Sequence, residues 1–127
     1  ECAGVVIDLV ATLLFEAKEK LILAQESFDE KKWSDAIYHA YAGFVNGAKA
    51  LLLSENQKTN HHAGIVDLFD TVFIENNKIE LNSTFKDLVY QINKNEPSEA
   101  FAKEYIAQAV VFFDKIETFR AQELENA

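Results

Sequence analysis

Residues 32–54 read KWSDAIYHAYAGFVNGAKALLLS, and this stretch decides the fold class of the chain. Small residues recur along it every three or four positions, which places them on one face of a helix. A face of small side chains lets a second helix approach closely. The small face consists of Ala36, Ala40, Gly43, Gly47 and Ala50, and the neighbouring apolar face of Ile37, Tyr41, Phe44, Ala48 and Leu51. The stretch therefore predicts a long helix that packs tightly against another helix.

The same helical spacing of apolar residues continues through the rest of the chain. It predicts four further helices, over about residues 4–28, 62–74, 83–92 and 97–124. The chain has one proline and four glycines, fewer than a sheet with many tight turns needs. We therefore expect an all-α fold, an antiparallel four-helix bundle with one short extra helix, forming a single domain over residues 1–127.

Individual residues mark where two of these helices begin. Pro97 suits the first turn of the last helix, where its missing N–H costs nothing, and Asn95 or Glu96 would cap that helix. Trp33 is expected at the start of the second helix, where its ring covers one end of the bundle while its N–H stays near water.

The charge balance bears on possible partners. The chain has 12 basic and 21 acidic residues, a net charge of −9. Nucleic-acid binders gain most of their affinity by neutralising phosphates with Lys and Arg, so nucleic acid is not an expected partner. The same field disfavours an anionic membrane surface. The most apolar stretch, Val5 to Phe15, is about half the roughly 20 residues that a membrane helix needs.

The single cysteine, Cys2, excludes an internal disulfide and a metal site built from cysteines. It fits a reducing, cytoplasmic location. No histidine has a glutamate three residues before it, so the Glu-x-x-His pairs of a di-metal bundle are absent. There is no glycine-rich phosphate loop either. We expect neither a metal nor a cofactor in this chain.

A polar cluster follows the second predicted helix and is the main candidate binding site. It contains Lys58, Thr59, His61 and His62. The lysine could meet a phosphate, and the histidines could hydrogen-bond to a ligand or stack on it. The alternative is that these residues form a solvated loop in which Asn60 caps the third helix.

A second candidate pair lies within the second helix. Asp35 and His39 are four residues apart, so a helix brings both to one face, where the carboxylate could make the histidine more basic. The alternative is an exposed pair without a chemical role. A general base needs a nucleophile or a substrate group beside it, and no serine or cysteine is placed by the sequence to receive it.

The run from Trp33 to Tyr41, continued through Ala48–Leu53 to Lys58–His62, resembles the second helix and following turn of a HEPN-type helical bundle. That family is rich in RNA-cutting and nucleotide-binding members. Its catalytic members use an arginine followed a few residues later by a histidine. Here Arg120 is the single arginine, and all three histidines precede it. The resemblance implies the fold, while the missing Arg-then-His order predicts no ribonuclease activity.

A narrower resemblance concerns the segments Glu1–Leu9 and Gln91–Pro97. They look like the C-terminal HEPN-like extension of some bacterial nitrite/sulfite reductase-type proteins. This implies that the chain is a C-terminal piece whose catalytic reductase modules lie upstream. No sirohaem or iron–sulfur ligand can be carried over, because a cluster needs several thiolates.

Two functions stay open. The first is a non-catalytic interaction module that forms a homodimer or docks on upstream domains of its parent protein. Its expected interface is Val5, Val6, Leu9 and Leu13, because helix one is apolar nearly all round there, and HEPN-like domains commonly dimerise. The alternative is a module that binds a nucleotide or small ligand through the Lys58/His61/His62 loop, with His39 and Asp35 as further candidates.

Overall fold

The computed structural model describes residues 3–57 and 61–126, and within these two ranges all regular structure is helical. The helices are α1 (Ala3–Asp29), α2 (Trp33–Ser54), α3 (His62–Phe69), α4 (Phe85–Val89) and α5 (Glu99–Glu125). A π-helical turn, Asp70–Ile74, continues α3, and a 3₁₀ turn, Tyr90–Asn93, continues α4. The expected all-α bundle with one short extra helix is confirmed.

Two helix starts have side-chain caps that explain where they begin. The Ser98 hydroxyl accepts a hydrogen bond from the backbone N–H of Phe101 at 3.1 Å, so α5 begins after Ser98. The expected cap at Asn95 or Glu96 is therefore wrong, and Pro97 precedes the helix instead of lying in its first turn. At α4, the Thr84 hydroxyl accepts from the N–H of Asp87 at 3.1 Å.

The small-residue face of α2 packs against α1, as its spacing predicts. A Cβ atom added at Gly43 would lie 2.7 Å from Cδ2 of Leu21, so a larger residue here would require Leu21 or one of the two helices to shift. Ala40 and Ala36, one and two turns earlier, are completely buried. At the turn between the helices, Trp33 is half-buried with its ring 5.2 Å from that of Phe28, so it covers this end of the bundle as expected.

The opposite side of α2 faces a core of aromatic rings. Phe44 on α2 lies 5.5 Å from Phe112 on α5, and the Phe112 ring stacks on Phe85 of α4 at 4.8 Å. Beside them, the buried Tyr105 hydroxyl donates to the carbonyl oxygen of Val89 at 2.6 Å. This bond fixes the end of α4 against α5, which holds the following segment close to the first half of α2.

Helix α1 extends beyond the end of its partner. Because Gly43 lies opposite Ala17 and Leu21, an antiparallel α2 that ends at Ser54 reaches back only to about residue 8 of α1. Val5 lies beyond that point and is accordingly 49% exposed. Leu9, near the end of the paired length, is 47% exposed. Even so, no helix in the described part of the chain is long and apolar enough to cross a membrane.

Candidate functional site

The structure brings His62 against Tyr41, although the two are 21 residues apart. Tyr41 lies on α2 and His62 is the first residue of α3. The Tyr41 hydroxyl oxygen is 3.3 Å from Nδ1 of His62, and the ring centroids are 5.8 Å apart. His62 is exposed and Tyr41 is half-buried, so the imidazole is held by a fixed phenol while remaining open to a ligand.

The surroundings of Tyr41 keep its hydroxyl protonated at neutral pH. Burial raises the pKa of Tyr41 above its ordinary value, and the neighbouring Tyr90 and Tyr38 raise it further. The phenol can therefore donate to Nδ1 of His62 or accept a hydrogen bond from it. When Nδ1–H is the donor, Nε2 of the neutral imidazole is free to accept a proton from a bound substrate.

The rest of the predicted polar cluster is placed only in part. His61 directly precedes α3, where its carbonyl oxygen accepts from the N–H of Ile65 at 2.8 Å. Lys58 and Thr59 lie outside the described residues, as does the expected cap at Asn60. The His61 side chain makes no capping hydrogen bond to α3. Within this cluster, the structure gives His62 a contact with Tyr41 of α2.

For Asp35 and His39, the sequence left open a pairing of the two side chains and an exposed pair without a chemical role. Nδ1 of His39 is enclosed and has no hydrogen-bond partner in the described part of the chain, and the ring lies edge-on to Tyr38 at 5.8 Å. Asp35 is exposed in the first turn of α2, where water and the positive end of the helix stabilise its charge. Helical spacing brought the residues to one face but did not turn the side chains toward each other.

His39 is also separate from the Tyr41–His62 contact. Two positions along a helix correspond to about 200° of rotation, so His39 and Tyr41 project from nearly opposite sides of α2. His39 is therefore not part of the Tyr41–His62 contact. In residues 3–57 and 61–126, no three His, Cys, Asp or Glu side chains are grouped so that they could hold a metal ion.

A cleft of about 270 Å³ opens beside Tyr41 and was not predicted from the sequence. One wall comes from the first turns of α2 and the other from the segment that joins α4 to α5. Its lining residues are Ser34, Ile37, Tyr38, Tyr41, Ile92, Asn93, Asn95, Pro97 and Phe101. Because Asn93 and Asn95 lie in a polar break between predicted helices, the sequence carried no signal that they face α2.

Arg120 lies at the other end of the bundle. Its Nη1 is 3.4 Å from Oε1 of Glu123, and the same carboxylate oxygen accepts from the Ser54 hydroxyl at 3.3 Å. Ser54 ends α2 and Tyr41 lies thirteen residues earlier, a distance of about 20 Å along the helix. Arg120 is therefore not beside His62 within one chain.

Comparison with known proteins identifies the family. The HEPN domain matches residues 10–120, which include most of α1 and α5 and everything between them. The chain belongs to the HEPN family. This HEPN chain is also 30% identical over 114 residues to “Putative toxin MJ0605” of Methanocaldococcus jannaschii, with 84% of this chain and 85% of that protein covered. No solved structure matches it.

These findings correct the expectation that the chain is not an enzyme and has no ribonuclease activity. Membership of a family with many RNA-cutting members, together with likeness to a protein named as a toxin, contradicts that expectation. The expectation of no ribonuclease activity had rested on the order of arginine and histidine along the chain. Proton transfer depends on where side chains meet in space, and the fold supplies His62 with a partner that lies far from it in the sequence.

Proposed function

We propose that this HEPN chain is a toxin that acts by cleaving RNA, with His62 as its proton-transfer group and Tyr41 as the residue that positions it. The observation that carries the proposal is the likeness to a protein named as a toxin over 84% of the chain. The Tyr41–His62 contact supports it, because an exposed imidazole held through one nitrogen by a protonated phenol can act as a general base.

The proposed reaction is attack of a ribose 2′-hydroxyl on the neighbouring phosphate. The 2′-oxygen bonds to phosphorus and releases its proton to Nε2 of His62. The bond from phosphorus to the 5′-oxygen breaks, and that oxygen takes up a proton from water. The products are a 2′,3′-cyclic phosphate and a 5′-hydroxyl. Tyr41 keeps the imidazole in place by accepting the hydrogen bond from Nδ1.

This reaction also needs positive charge at the phosphate. Arg120 is paired with Glu123 at the far end of the bundle, so it does not serve this site within one chain. Lys58, three residues before His61 in the sequence, is the cation that we propose for this role, with Thr59 and His61 as further phosphate contacts. The proposal sets aside the expectation, drawn from the net charge of −9, that nucleic acid is not a partner.

The test is cleavage of labelled single-stranded RNA by the purified protein, with identification of the new ends. We expect 2′,3′-cyclic phosphate and 5′-hydroxyl ends, and growth arrest when the protein is expressed in a bacterial host. His62→Ala should lower the cleavage rate about 100-fold or more, the size of a lost general base. His39→Gln is the matched control, since His39 lies on another side of α2. Equal activity of His62→Ala and the unchanged protein would refute the assignment.

We also propose that the protein forms a homodimer through Val5, Val6, Leu9 and Leu13 of α1. Val5 and Leu9 are about half exposed, and Val6 and Leu13 are only partly buried. Burying a large apolar side chain stabilises by about 1.5–3 kcal/mol, so a second copy of this surface would be a favourable partner. An upstream domain of a longer protein would cover the same side chains.

Two narrower expectations remain predictions. One is the relation to the C-terminal extension of nitrite/sulfite reductase-type proteins, and the other is a cytoplasmic location. Detection of a reductase module encoded in the same reading frame would support the relation to the reductase-type proteins.

Binding of a nucleotide or small ligand at the His61/His62 loop remains the second candidate function, favoured by the exposure of His62 and its contact with Tyr41.

A further inference from the structure

We propose that the cleft beside Tyr41 binds one nucleobase of a single-stranded RNA, and so selects the phosphate that is presented to His62. The inference rests on the proposed function and names the part of the substrate that this HEPN chain recognises. Tyr41 belongs to both places, because it lines the cleft and also contacts Nδ1 of His62 at 3.3 Å.

The aromatic side chains of the cleft are suited to stacking. Tyr38 is 64% exposed although it is a large ring on a packed helix, so its face is available to a ligand. Phe101 forms the other side of the cleft and stacks on Tyr105 at 5.2 Å with the planes 25° apart. Tyr105 is itself held by its bond to Val89, which makes this wall rigid. Bases of single-stranded RNA stack on aromatic rings in this way.

Two amide side chains at the rim can read the edge of a base. Nδ2 of Asn95 donates to the carbonyl oxygen of Gln91 at 2.9 Å, which fixes the side chain and leaves Oδ1 as an acceptor. The side-chain amide of Asn93 makes no hydrogen bond to another residue in the described part of the chain, so its donor and its acceptor are both available. An amide can pair with a donor and an acceptor on the same base edge.

The charge and size of the cleft also favour a base over a phosphate. None of the described residues that line it has a charged side chain. A phosphate would need a cation or several N–H donors, whereas a base needs rings and amides. The volume of about 270 Å³ lies just below the roughly 300–1,000 Å³ of sites for drug-sized ligands. The cleft therefore suits one base and not a stack of several.

A larger cleft, of about 570 Å³, lies between α5 and the segment before and within α4. It is less suited to RNA. Asp87 and Glu104 place acidic side chains in its lining, and the amides of Gln91 and Gln108 are hydrogen-bonded to each other at 2.6 Å. The amides of Gln91 and Gln108 thus already use each other as hydrogen-bond partners. Among the described residues that line this cleft, no two are aromatic.

Binding of free ribonucleosides tests the cleft directly. We expect adenosine, guanosine, cytidine and uridine to shift the NMR signals of Tyr38, Asn93 and Asn95, and ribose 5-phosphate, which lacks a base, to leave them unchanged. Tyr38→Ala should raise the nucleoside Kd about five-fold or more, the size of a lost stacking contact. Tyr38→Phe keeps the ring and should stay within about two-fold of the unchanged protein. Asn93→Ala should alter the preference among the four nucleosides.

The matched control is Phe15→Ala, which removes an exposed ring, 62% accessible, from α1 and should leave nucleoside binding unchanged. Circular dichroism confirms that each variant is folded. If the unchanged protein cleaves RNA but Tyr38→Ala has no effect on nucleoside or RNA binding, the cleft proposal is overturned. The proposed function would then still stand. Nucleoside binding in the cleft without RNA cleavage would support the cleft and overturn the function. Absence of both activities would overturn both.

Discussion

The carboxyl groups of Glu55 and Glu123 face each other at the C-terminal end of α2, within hydrogen-bonding reach. Lys78 holds Glu55 through a contact of 3.0 Å, and Arg120 lies 3.4 Å from Glu123. The hydrogen bond from Lys78 lowers the pKa of Glu55. Burial, followed by the hydrogen bond to Glu55, raises the pKa of Glu123. As pH falls, Glu123 is therefore expected to take up a proton before Glu55 does.

This pair predicts opposite effects of two isosteric changes. Glu123 has a raised pKa in the folded state, so its contribution to stability is present at low pH and is lost as pH rises from its ordinary value through its folded one. Glu55 has a lowered pKa, so its contribution is present at neutral pH and is lost as pH falls through its folded value. At pH 7, Glu123→Gln should raise the free energy of unfolding, and Glu55→Gln should lower it by less than about 1 kcal/mol.

Urea unfolding from pH 3 to pH 8 checks this expectation. In Glu123→Gln, the free energy of unfolding should depend less on pH above the ordinary glutamate pKa. In Glu55→Gln, it should depend less on pH below that value. Lys78→Gln is the control for Glu55, since it removes the same ion pair from the other side. A lower stability of Glu123→Gln at pH 7 would contradict the raised pKa of Glu123.

The positioning role of Tyr41 predicts a selective loss in Tyr41→Phe. Phenylalanine keeps the ring in the half-buried site but removes the hydroxyl that contacts Nδ1 of His62. RNA cleavage should fall about ten-fold or more through kcat, because the imidazole is less well oriented, while KM changes little. Single-turnover cleavage assays measure this split. Wild-type kcat in Tyr41→Phe would show that the hydroxyl does not position His62.

Two glycines of α2 predict opposite responses to alanine. At Gly43 the added Cβ would lie 2.7 Å from Cδ2 of Leu21, so the helices must separate or Leu21 must move. Such overpacking costs about 1–3 kcal/mol and outweighs the roughly 1 kcal/mol gained from helix propensity. At Gly47 the nearest atom would be Cε2 of Phe112 at an ordinary 3.6 Å. Gly47→Ala should therefore stabilise by about 0.5–1 kcal/mol. The denaturant midpoints of the two variants measure these effects. A Gly43→Ala variant more stable than the unchanged protein would contradict the close approach of α1 and α2.

The proposed homodimer predicts that Leu9→Asp dissociates the protein without unfolding it. Leu9 is 47% exposed in one chain, so the new charge is tolerated in a monomer but would be buried in a dimer. Sedimentation velocity at tens of micromolar measures the association, and circular dichroism checks the helices. Ile22→Asp is the matched control, since Ile22 is 51% exposed on another side of α1. A monomeric unchanged protein would refute the homodimer.

The sequence by itself determined the helices and their closest packing. Apolar spacing gave α2 to within one residue, and small residues three and four apart indicated the face that meets Leu21 of α1. These features depend on local backbone geometry, since a helix places residues of that spacing on one face whatever surrounds it. The sequence also indicated Lys58, Thr59, His61 and His62 as one candidate cluster, because these polar residues interrupt two apolar helices.

The tertiary structure alone decided which side chains of the site meet. Tyr41 of α2 contacts His62 at the start of α3. Asn93 and Asn95 line the same cleft as Tyr38 because the end of α4 is fixed to α5 through Tyr105. Local spacing could not decide between a pairing of Asp35 with His39 and two separate side chains, and in the structure Nδ1 of His39 has no hydrogen-bond partner among the described residues. The physical reason is that residue spacing sets a direction around one helix axis. The distance between residues on different helices is set by how the buried rings and small faces pack together.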